Sequence, residues 1–293
     1  MGPGIICKMK EISPVRPSPI SGQWYPADPR RLAATVDGYL AAAELPDLAG
    51  QVVGIMAPHA GHPYSGPVAG YAFSALRGCT PDVVVVASPM HYPYPPPLLT
   101  TAHTAYTTPL GELPVDLETL AALDAALLAD MGFGLTRVAN DPEHSVEIEL
   151  PFLQRVLEKP FRLVPVMVRD QSAAVARALG RALAAVLSGR QALLVASTDL
   201  SHFYPQPAAE ALDAEILARV EAFDPLGVIQ VEEAGRGFAC GRGALAAVLW
   251  AAEGMGADRA FVLRYATSGD TTGDYDRVVG YAAAVMLRYA PPS

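Results

Sequence analysis

Cysteine is scarce in this chain: Cys7, Cys79 and Cys240 stand far apart among 293 residues and form no CxxC pair. That spacing indicates neither a disulfide framework nor a thiolate zinc finger, and it fits a reducing compartment. Lysine is also rare, with Lys8, Lys10 and Lys159 standing against eighteen arginines, an imprint of base composition that carries no chemistry. Positive charge is in deficit, since 21 basic residues face 30 acidic ones for a net charge of −9. A surface of that sign argues against nucleic acid and anionic membranes as partners. No apolar run approaches the ~20 residues needed to span a bilayer, and residues 1–10 contain no signal-peptide core. A cytoplasmic location is the expectation. The chain also lacks a GxxxxGK[ST] loop, a strand-linked GxGxxG and a GxSxG elbow, which argues against nucleotide chemistry and ordinary esterase chemistry.

What is present is a large apolar fraction, 51%, with 17% charged residues, the composition of a folded globule with a sizeable core. After a Pro-rich stretch, residues 30–44 carry Leu32, Val36 and Leu40 at helical spacing. Short β-branched or continuously apolar segments at 52–57, 83–87, 161–168 and 192–197 read as buried strands. Helical stretches at 66–76, 116–131, 145–157, 172–187, 207–221 and 242–253 lie between or after them, and 261–266 and 278–287 read as two more strands joined by a turn at 268–274. The alternation predicts an α/β fold with a central mixed, largely parallel sheet flanked by helices on both faces. Without linker or repeat, residues 1–293 read as a single domain, with 1–15 as a flexible leader.

The information lies in where the histidines fall. The strand at 52–57 runs into Pro58-His59-Ala60-Gly61, that at 83–87 into Ser88-Pro89-Met90-His91, and that at 192–197 into Thr198-Asp199-Leu200-Ser201-His202. In open α/β sheets the ligand crevice lies outside the carboxyl ends of the strands, so side chains from separate segments can converge there. Cys240, in Phe238-Ala239-Cys240-Gly241-Arg242-Gly243, reads as the opening of a helix whose positive end would favour a thiolate, able to bind metal or attack an electrophile.

These residues also carry a family likeness. Gly22-Gln23-Trp24-Tyr25-Pro26, Ala57-Pro58-His59-Ala60-Gly61 with Tyr64-Ser65-Gly66, Thr108-Pro109-Leu110-Gly111 and Glu143-His144-Ser145-Val146-Glu147 come in order. Ser197-Thr198-Asp199-Leu200-Ser201-His202, Cys240-Gly241, Ser268-Gly269-Asp270, Gly273-Asp274 and Val278-Val279-Gly280-Tyr281 complete the set. The ordered set resembles the MEMO family, known in bacteria and archaea as protein B of the AmmeMemoRadiSam set. The resemblance implies a fold similar to the class III extradiol dioxygenases, whose non-haem iron sits at strand ends between two His and a Glu. In MEMO-like proteins the matching positions are two His and a Cys, which here fall on His59, His91 and Cys240. His202 falls where the dioxygenases keep an acid/base histidine, with Asp199 beside it. Two departures stand out: Ser88-Pro89-Met90 replaces the usual Gly-Pro before the second His, and His62 replaces an aromatic.

Two imidazoles and an anionic ligand with open positions opposite would let iron bind a substrate together with dioxygen, and the softer sulfur makes copper or zinc competitors for the site. His202 is then the expected general base, with Asp199 fixing its tautomer. His144 and Glu147 read either as pocket groups or as part of a capped helix start with Ser145 as N-cap. Trp24, Tyr25 and Tyr64 are expected over the core or at the pocket mouth, and His62 and His103 as surface or strand residues. The first functional expectation is redox or dioxygenase-like chemistry on a small molecule. The alternatives are a non-catalytic cleft for a peptide or protein, and a cysteine-nucleophile enzyme built on Cys240. The family resemblance implies the other AmmeMemoRadiSam proteins, including a radical-SAM enzyme, as partners.

Overall fold

The computed structural model describes residues 12–289; most of the expected leader lies outside the described residues. Its described end is ordered: β1 (Val15–Arg16) pairs in parallel with β5 (Ala105–Thr108), which pairs with β6 (Gly111–Pro114) in a small sheet. The first helix, α1 (Pro29–Ala42), follows from its sequence. Asp28 caps it by accepting from Arg31 N at 2.8 Å, Pro29 supplies a preset φ at the first position, and Leu32, Val36 and Leu40 form the buried stripe.

The main sheet is built from β2 (Gln51–Ala57), β3 (Val83–Pro89), β4 (Leu98–Thr101), β7 (Thr136–Val138), β8 (Arg162–Val168), β9 (Ala192–Ser197), β10 (His202–Tyr204), β11 (Arg259–Thr267) and β12 (Val278–Arg288). Its order is β10-β12-β2-β9-β3-β8-β4-β7, with β11 also on β12. The centre, β2, β9, β3 and β8, is parallel, while β12 and β4 join it antiparallel. All seven residues of β3 are buried, so alternate side chains meet cover on both faces of the sheet. One helical group comprises α1, α2 (His62–Ser74) and α4 (Leu150–Val156), which pack on one another, with α2 against β2, β11 and β12. The other comprises α3 (Leu117–Met131), α5 (Ala173–Val186), α7 (Pro225–Glu233) and α8 (Arg242–Gly254), with α8 against β3 and β9. Between α5 and α7, α6 (Gln206–Glu221) packs against β11 and β12, and α9 (Gly269–Thr272) is a single turn between those two strands. A contiguous apolar core runs through the sheet and both helical groups.

The architecture is the mixed, helix-flanked sheet expected. The periodic reading misses β4, β5, β6 and β7, each three or four residues long, because segments that short hold too few positions to show a period. The expected helix at 145–157 is shorter, a 3-10 turn Glu147–Glu149 running into α4, and Ser145 does not cap it. The Ser145 hydroxyl lies instead against Pro89 O at 3.0 Å and Glu143 Oε1 at 2.8 Å.

Candidate metal centre

Three parallel strands stop at the same rim. Ala57 at the end of β2 is in register with Ser197 at the end of β9, and β3 ends beside them at Pro89. His59 follows β2 and is buried, His91 follows β3 and is exposed, and the chain after β9 turns through Asp199 to His202. Cys240 arrives from the loop before α8. Its N–H donates to Asp199 O at 3.2 Å, and that of Gly241 to Thr198 Oγ1 at 2.9 Å. Only glycine fits at 241, since a Cβ there would lie 2.8 Å from Ser197 O.

The result brings Cys240 Sγ to 3.2 Å from His59 Nε2, and one ligand atom each of His59, His91 and Cys240 within 4.8 Å of one another. Metal–nitrogen and metal–sulfur bonds of about 2.0–2.3 Å can bridge donors at that spacing. These three side chains therefore form a group that can hold a metal ion.

Each imidazole is held by its other nitrogen. His91 Nδ1–H donates to Glu143 Oε1 at 2.9 Å, and His91 N–H to Glu143 Oε2 at 2.6 Å. Glu143 Oε1 also accepts from His144 N at 2.9 Å and Ser145 N at 3.0 Å. Burial alone would raise the Glu143 carboxyl, but the hydrogen bonds and charge of His91, with the charge of His144, hold it well below the usual range. His91, Glu143 and His144 also lie within 4.8 Å of one another. With its lone pairs engaged by these donors, the carboxylate serves as the mount of His91.

For His59 the proton count decides. Ser197 Oγ lies 3.0 Å from His59 Nδ1, 2.7 Å from Ser145 O and 2.7 Å from Glu149 Oε1. A hydroxyl has one hydrogen and two lone pairs, and a backbone carbonyl can only accept, so all three contacts are satisfied only if Ser197 donates to Ser145 O. His59 then donates from Nδ1–H, leaving Nε2 bare toward Cys240, and Glu149 donates as a neutral carboxylic acid. Burial, which drives the Glu149 carboxyl well above its ordinary value, points the same way.

Other groups differ from expectation. Burial, reinforced by the charge of Asp199, pushes the Cys240 thiol up. Its α8 begins only at Arg242, so the thiol stands outside the first turn and the helix end does not offset desolvation. Asp199 does not orient His202: its Oδ1 accepts from His59 N at 2.8 Å, so it braces the turn after β2. Burial raises its carboxyl to about 7, against hydrogen bonds from the His59 and Ala60 backbone. His202 lies in the same cleft, edge-on to Phe238 at 5.4 Å, and burial lowers it from its ordinary value. His62 and His103 are buried, each holding a backbone group: His62 Nε2 is 3.1 Å from Ile148 O, and His103 Nδ1 is 2.7 Å from Ser13 O.

The cleft has a volume of about 570 Å³, with Trp24, Tyr64, His144, Phe203 and Tyr281 among its walls. Trp24 packs on His144 at 4.2 Å between ring centres, and His144 stacks on His91 at 4.8 Å. Burial lowers His144 to about 4. Tyr25 and Glu147 are turned away from the cleft. Tyr25 donates to Glu147 Oε1 at 2.6 Å, and Glu147 Oε2 accepts from Arg16 at 2.7 Å inside the protein. A second hollow of about 700 Å³ lies where β2 and β9 begin, lined in part by Arg77, Arg190 and Arg288, and holds none of these imidazoles. Ser197, Glu149 and Phe203 escape sequence reasoning. Their parts depend on strand register and on the slip in the β10–β12 pairing between His202 and Tyr204, which no local pattern announces.

These features define an α/β protein whose strand ends open on a cleft with a His/His/Cys group capable of holding a metal ion. The sequence profile described as Memo-like protein matches residues 16–285, and the chain belongs to that family. A MEMO1 family protein of Methanopyrus kandleri is 38% identical over 279 residues, covering 92% of this chain and 98% of the relative. One of Methanothermobacter thermautotrophicus is 36% identical over 278 residues, covering 92% and 99%. Among solved structures, the uncharacterized protein JW3007 of Escherichia coli K12 matches with a TM-score of 0.52 at 15% identity, covering 80% of this chain and 100% of that one. That is a likeness of fold.

Proposed function

We propose that His59, His91 and Cys240 hold one metal ion, iron ahead of copper or zinc, and that the cleft carries redox or dioxygenase-like chemistry on a small molecule. The observation that carries this reading is the paired mounting of the imidazoles: each has Nδ1 engaged by an internal partner, Ser197 or Glu143, which frees Nε2 for an ion. Iron bound there would supply a redox centre at which substrate and dioxygen meet, while the softer sulfur is what keeps copper and zinc in competition. His202, held largely neutral, would accept the proton of a substrate hydroxyl on a ring nitrogen. Asp199 would act as a positioning residue, holding the turn that carries His59.

Turnover tests this reading. Metal-loaded protein should consume a catechol or thiol under air faster than metal-free protein; equal, negligible turnover across a panel of both would overturn it. A second reading, a cleft that only binds a peptide or protein, draws support from exposed aromatics at its mouth, Tyr64 and Phe203. Retention of a ligand by metal-free protein without turnover would favour it. Cys240 as a free nucleophile is the weaker reading, because a half-buried thiol with a raised pKa holds little thiolate at neutral pH. Slow alkylation of metal-free protein is the expected result. For partners we propose the other AmmeMemoRadiSam proteins, the radical-SAM enzyme among them, on family resemblance; co-purification from the native host tests that.

A further inference from the structure

We infer, resting on the reading of this cleft as a small-molecule site, that its ligand is an aromatic ring bearing no anionic substituent. Charge is the first reason. Among the described residues that line the cleft there is no lysine or arginine, while Asp199 does line it and the Glu143 carboxyl group lies directly behind His91 and His144. A carboxylate or phosphate carried on the ring, clear of the His/His/Cys group, would give up its water and find no cation in exchange. An uncharged or cationic substituent suffers no such loss. Arg277 lies over the Phe203 ring at 5.4 Å, outside the lining, and its segment also carries Asp274 and Asp276.

The walls are the second reason. Trp24, Tyr64, Phe203 and Tyr281 put four aromatic side chains around the cleft. Phe203 has φ of +63°, a backbone conformation in which a bulky side chain is strained, and it is 61% exposed. It sits where the pairing of β10 with β12 slips, between His202, which pairs with Val279, and Tyr204, which pairs with Val278. Irregularities of this kind re-aim a side chain. Here the slip accompanies a strained, exposed ring at the mouth. Tyr64, in the first turn of α2, is a second exposed ring, at 47%. Faces of this kind suit a planar ring, and for a cation they add the attraction of the ring quadrupole.

Three probes that share one dihydroxylated ring separate the terms: methylcatechol, dopamine and dihydroxybenzoate, which are neutral, cationic and anionic. They are titrated calorimetrically into zinc-loaded protein, which does not turn over dioxygen, and into metal-free protein. Methylcatechol and dopamine should bind at least about tenfold more tightly than dihydroxybenzoate, the scale expected of one unpaired charge in a cleft. Phe203→Ala should weaken all three, and Tyr64→Lys should recover dihydroxybenzoate selectively. Equal or tighter binding of dihydroxybenzoate by the wild type overturns the inference, as does an unchanged affinity in Phe203→Ala. Stoichiometric zinc with no binding of any probe overturns it too, yet leaves the metal reading intact. Protein that takes up no zinc but discriminates the probes in the expected order would sink the metal reading and leave this one standing.

Discussion

Arg16 shows how a residue far from the cleft sets its geometry. The side chain is 1% exposed and its guanidinium donates to both carboxylate oxygens of Asp141, to Glu147, and to the backbone carbonyls of Asp141 and Glu143. It thereby fixes the segment that presents Glu143 and His144 to the site. Arg16→Ala would leave Asp141 and Glu147 as buried charges without their partner, so a loss of about 3–5 kcal/mol is expected in urea unfolding. Nearer the centre, Ser197→Ala removes the acceptor for His59 Nδ1–H and should weaken zinc binding about 10–100-fold in chelator competition. Glu149→Gln keeps a donor for Ser197 Oγ and should change that affinity by less than about threefold; a loss as large as that of Ser197→Ala would mean that Glu149 is ionised. His59 and His91 were legible because buried strands declare themselves as apolar runs and the residue just past each end is easily found. The mount of His59 was not. Ser197 and Glu149 meet only once β9 and the 3-10 turn are packed together.

Among the elements, α6 makes a contact whose energy depends on pH. Its Asp213 is fully buried, accepting from Ser201 N at 2.8 Å and from the Tyr265 hydroxyl at 2.8 Å, which ties the helix to the loop before β10 and to β11. Burial raises its carboxyl to about 6. The unfolded value is near 3.9, so the fold favours the protonated acid. That contribution is complete below about pH 4 and is lost as pH rises through about 6, a change of about 2–3 kcal/mol. Asp213→Asn should therefore gain on the wild type in urea-unfolding free energy between those pH values; a constant difference would contradict the assignment. The helix pair α5 and α8 depends on Gly180, where a Cβ would lie 2.5 Å from Trp250 Cβ and 2.7 Å from Ala247 O. Gly180→Ala should cost about 1–3 kcal/mol in thermal unfolding, because neither backbone nor ring can recede freely. Most long elements were readable to within a few residues, as in α1 from its apolar stripe at Leu32, Val36 and Leu40, but the nine-residue α7 was not read. The help that a helix end was expected to give a Cys240 thiolate is absent, because α8 begins only at Arg242 and the thiol stands in the loop before it.

At the scale of the whole molecule, the fold acts as a frame that gathers residues 59, 91 and 240 from three distant stretches of chain. The sheet does most of this through register: β2 against β9, and β9 against β3, bring their carboxyl ends to one rim. The loop before α8 then closes the group through backbone bonds to the turn after β9. That alternating strands and helices make such a rim was legible in the sequence; that Asp199 braces His59 and leaves His202 free was not, since the direction of a side chain in a turn depends on its neighbours across the rim. Elemental analysis of protein made and purified without oxygen tests the central claim, beside His59→Ala, His91→Ala and Cys240→Ala. The account predicts one equivalent of iron, copper or zinc in the wild type and its loss in all three variants. Wild-type protein that stays metal-free after reconstitution, or variants that retain a full equivalent, would contradict it.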